Sequence, residues 1–209
     1  MKKLICCTLF SFIALSLFAQ RRYVRHSYNA GTHTEFGLKG GINIANLNDR
    51  EVSPTDSRTG LYLGGLAHIH LSHELALQPE VVYSAQGAEY SDGTAKFDYI
   101  NIPVVVQYMF DGGFRLETGP QLGFLASAKY KNNNGVETDA KNSIKSTDFS
   151  WAFGASYITP SGLGFGARYN LGLTNTLEDG GGNGSSNDGP EAKNKVVQVG
   201  LFWHFGAGR

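Results

Sequence analysis

Cysteine is almost missing from this sequence, and where it occurs it stands apart from any fold. Cys6 and Cys7 both lie within the first twenty residues. A chain cleaved after that leader has neither a disulfide nor thiol chemistry. An excess of one charge is also lacking. Lys+Arg and Asp+Glu number 18 each. Losing Lys2 and Lys3 with the leader leaves 16 basic against 18 acidic side chains, a net charge of −2. Nothing in that balance attracts a polyanion, so no nucleic acid partner is expected. Residues 21–209 also lack an apolar run of the roughly 20 residues that a spanning helix needs.

What is present begins with an address. Lys2 and Lys3 precede an apolar run from Leu4 to Phe18, and Ala19 follows. A basic start, a short apolar core and a small residue make a secretory signal peptide, here 1–19. The run is too short and wrongly flanked for a transmembrane helix. Residues 20–34, including the basic RRYVRH at 21–26, read as a flexible periplasmic leader. Residues 35–209 are enough for one domain.

That domain reads as strands. Eight segments alternate apolar with other residues: 36–47, 60–71, 74–87, 98–110, 114–128, 148–158, 163–173 and a last one containing QVGLFWHFG, 198–206. The clearest is DYINIPVVVQYMF, where Ile100, Ile102, Val104, Val106 and Tyr108 oppose Tyr99, Asn101, Pro103 and Gln107. A period of two is the signature of a sheet with two different faces. Pro79 and Pro103 each remove a ladder donor, so bulges or local irregularity are expected there. Short turns at 72–73, 111–113 and 159–162 alternate with long polar loops at 48–59, 88–97, 129–147 and 174–194. This order puts every long loop at one end and both termini at the other. The expected fold is all-β: an eight-stranded antiparallel up-and-down transmembrane β-barrel, exported to the outer membrane after signal cleavage.

Volume decides which face is outside. Eight strands enclose a space that side chains only just fill. Turning the aromatic face inward would overfill it and leave Lys39, Glu80, Arg115, Glu117 and Arg168 on the exterior. The apolar face therefore meets lipid, and these charges enter the lumen together with Glu74. Three cations and three carboxylates in a narrow interior should pair, because unpaired buried charge is costly. They are expected to form a structural network that fixes register and closes the lumen rather than a conducting path.

Other clusters carry less. His68 and His70 in HIHLSH share a face, but no carboxylate or cysteine partner is evident, so they read as periplasmic rim residues and no metal site is assigned. The loop LEDGGGNGSSNDGPE, 177–191, is rich in oxygen ligands, yet Pro190 stands where a calcium loop needs glutamate. KNNNG at 131–135 is likewise a surface loop. No serine, histidine and aspartate, and no carboxylate pair, shows a spacing that marks catalysis. No cofactor and no enzymatic activity are expected.

Two resemblances add to this reading. Gln198, Gly200, Trp203 and Phe205 resemble the C-terminal assembly signal of outer-membrane proteins, which implies recognition by the barrel-assembly machinery. The tail Gly206–Arg209 departs from that signal, since many such proteins stop at the aromatic. LQPEVVYSAQG (77–87), YINIPVVVQY (99–108) and LETGPQLGFLASAK (116–129) resemble the PorT-like outer membrane β-barrel proteins of Bacteroidetes-type bacteria. The resemblance spans roughly residues 34 to 205. It implies an outer-membrane barrel and little about activity. The expected function is a non-enzymatic barrel with a filled polar lumen and four long external loops, in contact with outer-membrane lipid and serving a structural or interaction role. Alternatives are an accessory component of a secretion or envelope complex, an outer-membrane enzyme, or a soluble periplasmic ligand-binding barrel.

Overall fold

The computed structural model describes residues 33–49, 56–90, 93–139, 141, 145–174 and 192–205. The expected signal peptide, the leader up to residue 32, the glycine-rich stretch 177–191 and the tail 206–209 lie outside the described residues. The strands are β1 (Thr34–Asp49), β2 (Asp56–His70), β3 (Leu75–Tyr90), β4 (Gly93–Met109), β5 (Phe114–Asn132), β6 (Glu137–Asp139), β7 (Thr147–Ile158), β8 (Leu163–Gly172) and β9 (Ala192–Phe205). Strand β6 is a three-residue ribbon on the end of β5. The other eight each pair antiparallel with their chain neighbours, and β9 returns to β1 from Phe36↔Phe205 onward. The sheet is a closed eight-stranded barrel, as the alternation required.

Its polarity is inside out relative to a water-soluble fold. Leu61 is 67% exposed and Glu80 only 2%. Along β4, Ile100, Ile102, Val104, Val106 and Tyr108 face outward, while Asn101 and Gln107 are buried in the lumen. Apolar surface of this extent is favourable only where lipid replaces water. The narrow interior is made possible by missing side chains. A Cβ on Gly41 would lie 2.2 Å from the Val199 carbonyl and 2.5 Å from the Gly200 Cα, beneath the Tyr62 ring. A Cβ on Gly164 would meet the Phe202 ring at 2.2 Å. Each glycine thus seats an inward aromatic across the pair, covering backbone that a flat strand would leave bare.

The short turns are where turn chemistry puts them. Leu71 and Ser72 N–H both donate to the Leu75 carbonyl, Phe110 N–H to Phe114, and Thr159 N–H to Leu163. Gly112, Gly113 and Gly162 hold positive φ values of 91°, 94° and 87°, which other residues adopt only with strain. Three tight turns and both ends of the barrel segment therefore share one end.

Residues 88–97 are not a long loop. Strands β3 and β4 run through them, pairing Ala88 with Ala95 and Tyr90 with Gly93, so only 91–92 connect them. The segment looks loop-like because both faces exchange polarity here. Outward positions change from Ile100 to Asp98, Lys96 and Thr94. Inward positions change from Asn101 to Tyr99, Phe97 and Ala95, which pack with Ala88, Leu125 and Ala128 in a buried apolar cluster. A change from apolar-out to polar-out marks the outer edge of the lipid band between Asp98 and Ile100. The nine residues from Ile100 to Tyr108 match the roughly 9–11 that cross a bilayer at a tilt. An extra residue in β5 falls at the same level: Tyr99 pairs with Leu125 and Asp98 with Ser127, leaving Ala126 as a bulge.

The prolines do not cause the register shifts. Those lie between Ser57 and Tyr62 and between Asp98 and Tyr99. At Pro79 the β2–β3 ladder skips from Leu66↔Glu80 to Ile69↔Leu77 with register preserved, so the irregularity is a gap rather than a bulge. Beside Pro103, the β4–β5 ladder likewise passes from Pro103↔Gln121 to Val106↔Thr118 without a shift.

Candidate functional site

The lumen is where polar chemistry concentrates, and it is layered. Alternation makes every second residue of each strand an inward one, and barrel closure brings strands distant in sequence face to face. At mid-height, Arg168 on β8 reaches across to β3. Its Nη1 donates to Glu80 Oε2 at 2.8 Å and its Nη2 to Glu80 Oε1 at 2.7 Å, a bidentate pair. Its Nε donates to Glu117 Oε1 at 2.7 Å. Lys39 Nζ on β1 donates to Glu80 Oε2 at 2.9 Å. Amides fill the remaining acceptor positions: Gln78 Nε2 donates to Glu80 Oε1 at 2.7 Å and Gln107 Nε2 to Glu117 Oε2 at 2.8 Å. Two cations and two carboxylates make a neutral knot whose acceptors are occupied, the condition under which buried ions are tolerated.

Of the charged residues that the alternation points inward, Lys39, Glu80, Glu117 and Arg168 therefore come together. Arg115 also faces inward and is buried, but it sits nearer the short-turn end, within electrostatic reach of Glu35, His68 and His70. Glu74 is not in the lumen. It lies exposed at the end of the β2–β3 turn, where its Oε2 accepts from the Tyr108 hydroxyl at 3.1 Å. Alternation carries no information once the chain leaves the strand, and β3 begins only at Leu75.

Beyond the knot, toward the loop end, comes a layer of amides and hydroxyls. Asn43 Nδ2 donates to Ser84 Oγ at 2.9 Å, and Gln198 Nε2 donates to Asn43 Oδ1 at 3.0 Å. Gln86 Nε2 donates to the same Ser84 Oγ at 2.9 Å, and Asn194 Nδ2 donates to Gln86 Oε1. Then follows the apolar cluster around Phe97 and Tyr99. A cavity beside the Arg168 guanidinium measures about 30 Å³, room for two or three waters. Outside, above the lipid band, Glu137 on β6 accepts from Lys96 at 3.0 Å and lies 3.8 Å from Lys129. The Lys96 hydrogen bond holds the Glu137 carboxyl below its usual range.

At the short-turn end is a cluster that alternation alone did not single out. His204 Nδ1 lies 3.0 Å from Glu35 Oε2, and His33 Nδ1 3.9 Å from Glu35 Oε1. The His68 ring stands edge-on to His70 at 4.5 Å and lies 5.0 Å from His204. Glu35 shares the inward parity of Lys39, and His204 that of Gln198. That signal was present, but only the closing of β9 onto β1 makes them neighbours.

The C-terminal stretch divides between the faces. Trp203 and Phe205 are exposed on the lipid side near the end of β9, while Gln198 is buried in the lumen and Gly200 lies under Tyr62.

Residues 18–178 match a family model described as outer membrane protein beta-barrel domain. The crystal structure of Neisserial surface protein A (NspA) is 15% identical, with a TM-score of 0.51 over 81% of this chain and 97% of that one. Ail, the attachment invasion locus protein of Yersinia pestis, is 14% identical, with a TM-score of 0.49 over 82% and 98%. No curated protein matches the chain.

Proposed function

We propose that this chain, which belongs to the outer membrane protein β-barrel domain family and resides in the outer membrane, is a sealed, non-enzymatic barrel that carries an external strand platform for interaction at the cell surface. The filled lumen carries the proposal. A neutral knot of Lys39, Glu80, Glu117 and Arg168 spans it from β1, β3, β5 and β8, with an amide layer and an apolar cluster above. The space left beside the knot, about 30 Å³, suits a few ordered waters and not a hydrated ion path. With the interior given to structure, what remains for function is the surface. There β3, β4 and β5 rise past the lipid edge with charged outer faces: Glu89, Lys96, Lys129 and Lys131.

Two finer assignments belong to the same proposal. The PorT-like resemblance is supported by its three stretches falling on the consecutive paired strands β3, β4 and β5. Recognition by the barrel-assembly machinery is supported by Trp203 and Phe205 presenting their rings outward on the strand that closes the barrel. The test is conductance of the refolded chain in planar bilayers. The expected trace is silent, with no steps of porin size. Stable ion-conducting steps from the wild-type chain would overturn the sealed-lumen reading.

A further inference from the structure

Four histidines meet at the short-turn end of the barrel: His68 and His70 from β2, His204 from β9 and His33 from just before β1. The sequence pattern offered His68 and His70 no carboxylate. The fold supplies one, because closure of β9 and β2 onto β1 brings Glu35 among them. One donor atom each from His33, Glu35 and His70 lies within 4.8 Å of the others. We infer that His33, Glu35 and His70 form a binding site for a divalent transition metal ion of the zinc type, on the periplasmic mouth and at the barrel's closing seam.

The local chemistry favours this. His70 Nδ1 lies 3.3 Å from the His33 backbone carbonyl, which assigns the proton to Nδ1 and makes Nε2 the basic nitrogen. Glu35 is oriented through its other oxygen: His204 Nδ1 donates to Oε2 at 3.0 Å, leaving Oε1 on the His33 side. A buried histidine that holds a ligating carboxylate in place is the outer-shell arrangement that metal sites use. His204 and His68 are 1% and 0% exposed, and the Nε2 of each has no hydrogen-bond partner. Tetrahedral zinc at about 2.0–2.1 Å from nitrogen sets donors roughly 3.4 Å apart. Closing from 4.8 Å therefore asks for a shift of a little over 1 Å. The His33 side chain, 58% exposed, can make it and also opens the route of entry. Arg115 lies within electrostatic reach of the same carboxylate. That opposes a weakly held hard cation such as calcium more than an ion bound mainly through imidazole. A bound ion would tie β1 to β2 and, through His204, to β9.

This site is independent of the sealed-lumen reading and can fail separately. The test uses the untagged mature chain, refolded in lipid vesicles, titrated with Zn²⁺ by calorimetry and with Co²⁺ by visible absorption. The expected result is saturable binding of one ion per chain. His33→Ala and Glu35→Gln should each weaken it at least tenfold, and His73→Ala, in the neighbouring turn, should leave it unchanged. His33→Ala alters an exposed side chain outside the strands, so folding, read as heat-modifiable gel mobility, should persist. Wild-type protein that binds no Zn²⁺ saturably would overturn the proposal. So would binding that survives His33→Ala and Glu35→Gln, or is lost with His73→Ala instead.

Discussion

Replacing Glu80 by glutamine tests whether the lumen knot stabilises the barrel. Glu80 accepts from Arg168 twice, from Lys39 once and from Gln78 once, and it is 2% exposed. Glu80→Gln keeps the shape and removes one of two negative charges, so Arg168 and Lys39 share only Glu117. Removing one partner of a buried ion pair costs about 3–5 kcal/mol, because the other is left uncompensated. Arg168 retains its 2.7 Å bond to Glu117. The expected loss is therefore near the lower end, about 3 kcal/mol. Lys39→Met alone should also destabilise, but the double variant restores neutrality. Its loss should fall short of the sum of the singles by about 1–2 kcal/mol, as coupled neighbours do. The assay is urea unfolding in lipid vesicles, followed by the fluorescence of Trp151 and Trp203 on the lipid-facing side. A Glu80→Gln barrel within about 0.5 kcal/mol of wild type, or strictly additive losses, would refute a role for the knot in stability.

Further outcomes follow from the seam, the lipid edge and the apolar cluster. Gly41→Ala places a Cβ against backbone of β9 at 2.2 Å, so closure should fail and the heat-modifiable gel shift should be lost. Gly65→Ala, whose nearest neighbour is 3.8 Å away, should behave as wild type. Val104→Arg lies mid-band on the outer face and should cost about 2–4 kcal/mol in vesicle unfolding, while Thr94→Arg, beyond the edge, should cost less than about 1 kcal/mol. Equal costs would remove the boundary from between Asp98 and Ile100. Phe97→Ala empties the centre of the apolar cluster and should cost about 3–5 kcal/mol, measured in the same unfolding assay.

Particular residues show how far the sequence could be read. Ile100 to Tyr108 announce β4 and its outward face, because successive side chains on any strand must point opposite ways. The same rule put Lys39, Glu80, Arg115, Glu117 and Arg168 inside. It failed at Glu74, which lies past the end of a strand, and at 88–97, where the rule still held but its sign was reversed. Lys96 and Asp98 outside, with Phe97 and Tyr99 inside, are as regular as Ile100 and Asn101. They look like a loop only if apolar is taken to mean outward, and that equation ends where lipid gives way to water.

By itself, the sequence determined the strand phases, the strand number, the end at which the tight turns lie and the inward placement of Lys39, Glu80, Arg115, Glu117 and Arg168. All of these rest on local geometry and on the volume an eight-stranded barrel can hold. Tertiary structure alone decided who meets whom. Arg168 and Glu80 stand 88 positions apart on strands that are not neighbours. His33 and Glu35 reach His70 and His204 only because β1 is flanked by both β2 and β9. Pairing across a lumen depends on how far each strand is displaced as the sheet closes, and a period of two says nothing about that displacement.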